Sequence, residues 1–218
     1  FRDRKILSVT EEFYKKMNVE TIFGRKAIRL DTKNKIVTLA PHNKGKLHYD
    51  KLLIATGGTP FIPPLKGTGK AHILTFTTWD DAKKVKDKID GVKKAVVIGG
   101  GLIGLCAAEA LERLGVAVII VELADRILRP ALDEKASKIL EERLKEEGIK
   151  IITQDTVTTI TGSKSSEACK AKVKSVTLKS GKKISCDMVI VAIGVKPNIE
   201  LVKGTDIKSD RGILVDDT

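Results

Sequence analysis

Hydrophobic and polar positions change period along this chain, and each change marks an element. An apolar run, Ala95-Val96-Val97-Ile98, enters Gly99-Gly100-Gly101-Leu102-Ile103-Gly104. A helical pattern follows, with Ile103, Ala107, Ala110 and Leu114 on one stripe and Glu109, Glu112 and Arg113 off it. Gly115 is placed to end that helix, and a second apolar run, Val116-Ala117-Val118-Ile119-Ile120-Val121, stops at Glu122. Ahead of this stretch, residues 5–17 read as a helix and segments 19–23, 27–30 and 35–40 alternate as strands. Residues 51–55 form a short buried run that stops at Thr56-Gly57-Gly58, and Pro60, Pro63 and Pro64 make the next stretch a linker. Thr78 and Asp81 have capping-box spacing, with Asp in place of Glu, and open a helix to about Ile89. After Glu122 come a helix over 133–147, a stop at Gly148 and a third strand at 150–153. Short strands follow near 156–160, 171–178 and 183–185, then a buried run over 188–193 that stops at Gly194. The tail, 198–218, holds a short helix and a strand at 213–215. Strands alternating with helices make the class α/β, with a central parallel sheet in 94–153 and a helix on each face.

A strand, a glycine-rich turn, a helix and a strand ending in an acid form a Rossmann-like βαβ unit that grips a dinucleotide. Gly99 permits the tight turn out of the strand. Gly101 has no side chain to hold a pyrophosphate off the backbone, and Gly104 lets the helix pack closely on the strands. The amides that open the helix, at Leu102 and Ile103, lack partners and carry its positive dipole end. Gly99, Gly100, Gly101, Leu102, Ile103 and Gly104 are therefore the candidate diphosphate cradle. Glu122 can accept both ribose hydroxyls of NAD and repels a 2′-phosphate. Arg126 and Arg129 argue the other way, since guanidinium groups are good phosphate partners. Like-charge repulsion at the contact position favours NADH over NADPH. A packed βαβ unit with an empty turn is the plainer alternative.

Two parts of the chain match each other. Lys35-Ile36-Val37-Thr38-Leu39 precedes Gly45-Lys46-Leu47-His48-Tyr49-Asp50 and then Ala55-Thr56-Gly57. Lys174-Ser175-Val176-Thr177-Leu178 precedes Gly181-Lys182-Lys183-Ile184-Ser185-Cys186-Asp187 and then Ala192-Ile193-Gly194. A duplication would make each copy a β-meander followed by a returning buried strand. Hairpins that merely look alike are the alternative.

Composition narrows the classes further. With 42% hydrophobic but only 4% aromatic residues, the core must be aliphatic. The formal charge of +12 is spread along the chain as at Lys83-Lys84, Lys93-Lys94 and Lys182-Lys183, which reads first as a solvated surface and only then as an attractant for anionic ligands. No recognised module or aromatic platform accompanies that charge, so nucleic acid is not an expected partner. Cys106, Cys169 and Cys186 are odd in number and far apart, which suits a reducing cytoplasm and suggests neither a disulfide framework nor a zinc site. No run of 18 apolar residues and no signal peptide is present, so no membrane is expected. The chain opens at Phe1 without an initiator methionine, which points to an internal fragment.

Three segments closely resemble one enzyme family: Asp50-Lys51-Leu52-Leu53-Ile54-Ala55-Thr56-Gly57, Val97-Ile98-Gly99-Gly100-Gly101-Leu102-Ile103-Gly104, and Val191-Ala192-Ile193-Gly194-Val195-Lys196-Pro197-Asn198. The family is the FAD-dependent pyridine nucleotide-disulfide oxidoreductases. The nearest branch looks like NADH oxidases, NADH-dependent nitrite and rubredoxin reductases, and coenzyme A-disulfide reductases. The motifs are co-linear and the resemblance covers essentially the whole chain. It implies an FAD/NAD(P)-binding two-domain fold: a partial FAD-binding domain at 1–73, a nearly complete NAD(H)-binding domain at 74–187, and a return segment of the FAD domain at 188–218. It also implies passage of hydride from NADH to FAD and on to an acceptor, whether oxygen, a disulfide, a nitrite-reducing partner or rubredoxin, in a homodimeric full-length protein. By the same resemblance Ala55, Thr56 and Gly57 lie on the flavin side, and Ile193 and Gly194 lie near the nicotinamide ring. The family's first glycine motif would precede Phe1, so these 218 residues alone are expected to bind NADH without turning over. Two positions depart from the family: many members carry Tyr at Leu102 and Glu at Cys106. Leu102 cannot stack as a planar lid, and Cys106 is expected to be a small buried residue. A non-catalytic NAD-binding regulatory module and a cofactor-free interaction domain are the competing classes; neither accounts for Ala55-Thr56-Gly57 and Pro197-Asn198.

Overall fold

The alternating segments at 27–30 and 35–40, and those near 156–160, 173–178 and 183–185, form paired strands. A computed structural model describes residues 11–40, 45–67, 72–163 and 172–216. They fall into two units, Phe1–Gly57 with Pro197–Thr218, and Gly58–Lys196. Among the described residues no helix is long and apolar enough to cross a membrane.

The first unit holds helix α1 (Glu11–Lys16) and strands β1 (Ala27–Asp31), β2 (Ile36–Leu39) and β3 (Gly45–His48), which form an antiparallel meander. Asp31 closes the β1–β2 turn by accepting the Asn34 amide at 2.9 Å. Leu30, Val37 and Leu39 pack with Val202 of a 3-10 turn, Glu200–Val202. Of the expected first helix, residues 5–10 lie outside the described residues. Three expected strands do not form. Residues 19–22 have no regular structure and run into a turn at Phe23, whose ring meets Tyr14 edge-on at 6.0 Å. Residues 51–55 form no strand, with Leu53 89% exposed, and 213–215 hold only a single bridge, Ser209 to Ile213. An apolar run becomes a strand only when a neighbour satisfies its backbone; among the described residues of this unit none lies beside 51–55.

The second unit begins and ends in a ribbon of β4 (Gly58–Pro60) and β13 (Val195–Pro197), so Pro60 closes a short strand where a linker was expected. Between them lie β5 (Ile73–Thr75), α2 (Trp79–Asp87), β6 (Lys94–Ile98), α3 (Leu102–Glu112), β7 (Ala117–Val121), α4 (Glu134–Glu146) and β8 (Lys150–Ile152). A meander of β9 (Val157–Gly162), β10 (Val173–Leu178) and β11 (Lys183–Ser185) then leads to β12 (Met188–Val191). The main sheet is parallel, in the order β5-β12-β6-β7-β8. Ala95 stands opposite Val118 and Val97 opposite Ile120, so the βαβ unit is formed as expected.

The central strands β6 and β12 are buried on both faces, and successive side chains enter two different cores. Ala95, Val97, Val118, Ile120, Met188 and Ile190 face Val85 of α2, Ala107, Ala108 and Leu111 of α3, and Leu144 of α4. Val96, Ile98, Val121, Val189 and Val191 face Val157, Ile160, Val176, Leu178 and Ile184 of the meander. The expectation of a helix on each face is therefore corrected: α2, α3 and α4 share one face and the β-meander covers the other. The strand order explains this. The crossovers from β5 to β6, β7 and β8 all step in one direction across the sheet, so right-handed connections place their helices on one side.

The internal match extends to the backbone. Tyr49 N donates to Lys35 O at 3.1 Å, and Cys186 N donates to Lys174 O at 3.0 Å, one bond closing each meander at the matched position. The unit boundaries differ from the sequence expectation of 73/74 and 187/188. β12 is an interior strand of the parallel sheet, which ties residues 188–196 to the second unit.

Candidate dinucleotide site

The site lies at the carboxyl ends of β6, β7 and β12. From β6 the chain steps to β7 on one side, while β12 flanks β6 on the other, and such a switch point opens a crevice. Gly99 N donates to Val121 O and Ala192 N to Ile98 O, both at 2.8 Å, holding the three strand ends together. Gly99 turns with φ +107°, and a Cβ there would run into the Ala192 carbonyl. A Cβ on Gly104 would strike the Gly99 carbonyl. Gly104 must therefore face the strand, and this fixes how α3 is rotated. Its buried residues are Gly104, Leu105, Ala107, Ala108 and Leu111, while Leu114 is 44% exposed. Of the stripe expected through Ile103, Ala107, Ala110 and Leu114, Ala107 is buried, Ile103 and Ala110 are half-buried and Leu114 is exposed, so the buried face is rotated from it.

The start of α3 differs from its neighbours. The Thr78 hydroxyl accepts the Asp81 amide at 3.1 Å to cap α2, and Asp133 accepts the Ala136 amide at 2.8 Å to cap α4. Gly101 caps α3 with no side chain, and a Cβ there would meet nothing within 4 Å. Uncapped amides at the positive end of a helix dipole, facing open space, fit the diphosphate of a dinucleotide.

Glu122 leans over the glycine loop. Its Oε2 accepts the Gly100 amide at 2.5 Å and its Oε1 accepts the Ala124 amide at 2.7 Å. A carboxylate offers about four acceptor directions, so both oxygens keep capacity for ribose hydroxyls. Behind it, Gln154 N donates to Ala124 O and Asp155 N to Glu122 O, at 2.8 and 3.1 Å. Hydrogen bonds from Ser180 hold the Asp155 carboxyl below the usual carboxylate range.

Sequence reasoning missed Ile127 and Leu128. Buried Ile127 packs where a Gly100 side chain would project, its carbonyl accepts the Ser137 hydroxyl at 2.9 Å, and Leu128 N donates to Gly100 O at 2.9 Å. No periodic signal marks this fold-back, in which Leu128 adopts φ +48°. Arg126 donates to Asp125 Oδ2 at 3.1 Å, and Arg129 Nε lies 3.7 Å from Oδ1 of the same residue. The buried Arg126 Nε has no hydrogen-bond partner among the described residues.

Ile193 borders Gly99 and is 39% exposed, and Gly194 O accepts the Phe61 amide at 3.0 Å. Leu102 is 69% exposed on the first turn of α3, and Cys106, one turn on, is exposed as well. This corrects the expected burial of Cys106: the phase set by Gly104 turns positions 102 and 106 outward. Cys186 is the buried thiol, pushed up to about 12 by desolvation and the Asp187 charge. Cys169 lies outside the described residues.

Ala55, Thr56 and Gly57 belong to the other unit, where they are exposed and tied to a residue far along the chain. The Thr56 hydroxyl donates to Asn198 O at 2.6 Å, Asn198 Nδ2 to Thr56 O at 2.9 Å, and Asn198 N to Gly57 O at 2.9 Å. Asn198 was visible only as the end of the third motif.

Comparison with known proteins agrees with this geometry. The chain is 32% identical over 209 residues to an assimilatory nitrate reductase electron transfer subunit from Bacillus subtilis, covering 95% of this chain and 26% of the relative. It is 34% identical over 210 residues to an NADH oxidase from Methanocaldococcus jannaschii, covering 94% of this chain and 45% of the relative. A solved ferredoxin reductase from Rhodopseudomonas palustris superposes with a TM-score of 0.86 at 26% identity, over 95% of this chain and 49% of that one. The chain thus spans a quarter to half of these relatives' length. With residues 2–218 matching the family model, and the glycine turn and acidic strand end assembled at one switch point, the chain belongs to the pyridine nucleotide-disulphide oxidoreductase family.

Proposed function

We propose that the chain is the NADH-binding portion of a flavin-dependent oxidoreductase that moves hydride from NADH to FAD and on to an acceptor. The observation that carries this reading is the uncapped start of α3, open at Gly101, with the Glu122 carboxylate beside it. When bound, the two cofactors supply hydride donation and acceptance; the chain supplies grip and orientation. The amides of Gly101, Leu102, Ile103 and Gly104 would hold the NADH diphosphate, with Gly99 and Gly100 shaping the loop. Glu122 would take the adenosine ribose, and Ile193 and Gly194 would border the nicotinamide. Unit Gly58–Lys196 has the NADH role, and the unit carrying Ala55, Thr56 and Gly57, clasped by Asn198, is part of the FAD domain. The acceptor is oxygen, a disulfide, a nitrite-reducing partner or rubredoxin, and the full-length protein is a cytoplasmic homodimer.

NADH is favoured over NADPH because a 2′-phosphate would meet the Glu122 carboxylate. Arg126 and Arg129, which could offset that repulsion, both lean on Asp125. Fluorescence titration with each nucleotide tests the reading. NADH should bind more tightly; tighter NADPH binding overturns the preference, and binding of neither overturns the proposal.

A further inference from the structure

A cavity of about 640 Å³ opens in the second unit away from the glycine loop. Lys94, Lys145, Lys150, Lys182 and Lys183 line it, and no carboxylate does. Lys145 Nζ lies 4.0 Å from Glu141, while among the described residues Lys94, Lys150, Lys182 and Lys183 have no ion-pair partner. Lys94 begins β6, whose carboxyl end carries the candidate dinucleotide site, and Lys150, Ile151 and Ile152 line the cavity along β8. The five residues of β6 separate the two by about 13 Å. Ile119, Ile151 and Ile152 give it an incompletely buried apolar wall.

Lysines on open strand edges discourage pairing with other chains. That role covers Lys150 and Lys183, because β8 and β11 end their sheets. It does not cover Lys94, on the interior strand β6, or Lys145, on α4. Convergence of edge, interior and helical lysines on one apolar hollow calls for an anion. Ammonium groups on flexible stems suit a multiply charged anion without imposing one geometry, and the volume suits a small molecule.

We propose that this cavity binds a small organic anion carrying two or more phosphate charges and an apolar body. Calorimetric titration of the 218-residue chain with inorganic tripolyphosphate, with and without saturating NADH, tests the charge requirement. One site should fill equally in both conditions and weaken as salt rises. In a Lys150→Glu/Lys183→Glu variant the affinity should drop by about tenfold or more, as expected for two lost charge-assisted contacts, while NADH affinity and the unfolding midpoint stay at the parent values. A Lys150→Gln/Lys183→Gln variant should show a smaller loss, and it carries the test should the glutamate pair misfold. Phenyl phosphate should bind more tightly than inorganic phosphate if the isoleucine wall takes part. Displacement of tripolyphosphate by NADH, undiminished affinity in the variants, or no binding at millimolar concentration would overturn the site. Equal binding of the two monophosphates would overturn its organic ligand.

Discussion

Replacing Glu122 with alanine removes one carboxylate from two observed contacts and one proposed one. The Gly100 and Ala124 amides, at 2.5 and 2.7 Å, lose a charged acceptor. Bonds to charged groups contribute roughly 1.5–3 kcal/mol each, but Glu122 is only half-buried and water can replace part of that. The stability cost should therefore be about 1–3 kcal/mol for the pair. The ribose contact is a separate loss of similar size, which weakens NADH by about 5- to 150-fold. NADPH, no longer repelled, should lose less, so the gap between the two narrows. Glu122→Gln keeps a neutral acceptor for one loop amide but drops the charge. It should preserve most of the stability while still narrowing that gap, which separates bracing of the loop from recognition of the ribose. Titrating both nucleotides against parent and variants, beside thermal unfolding, reads out each part. Unchanged NADH affinity in Glu122→Ala would mean that the carboxylate only braces the loop, and the ribose assignment would be wrong.

Two glycines should respond in opposite ways. Gly101→Ala meets open space at φ −81° and ψ 179°, so stability should hold within about 0.5 kcal/mol while NADH binding drops sharply. Gly104→Ala strikes the Gly99 carbonyl and should cost about 1–3 kcal/mol in chemical denaturation; a fully stable variant would contradict the packing described. For Asp81, burial opposes ionisation, but hydrogen bonds from Thr77 and Thr78 outweigh it and hold the carboxyl below its ordinary 3.8. Its stabilisation is thus present at neutral pH and fades as pH falls below about 3.8 through the folded-state value. Asp81→Asn should flatten the acid limb of a pH–stability curve, and an unaltered limb would remove Asp81 from that account. Maleimide labelling of the native chain, read by mass spectrometry, should modify exposed Cys106 and spare Cys186; the reverse order would contradict the orientation of α3.

The sequence by itself determined what depends on neighbours within a few residues. The strand–glycine–helix–strand order, the Thr78 cap and the two matching meanders were all legible. Each is set by backbone periodicity or by a side chain reaching its own turn. Residues 51–55 carried the same apolar signal as 188–191, yet only the latter became a strand, because Met188 to Val191 lie between β5 and β6. The rotation of α3 followed a contact between Gly104 and Gly99 that no hydrophobic stripe encodes, and this turned Cys106 outward. Glu122 was identifiable as a strand-end acid, but its hold on the Gly100 amide required two strand ends to arrive side by side. Side-chain period fixes which face of an element is apolar. Which neighbour that face meets, and so which polar groups converge on the crevice, is decided only when distant segments pack.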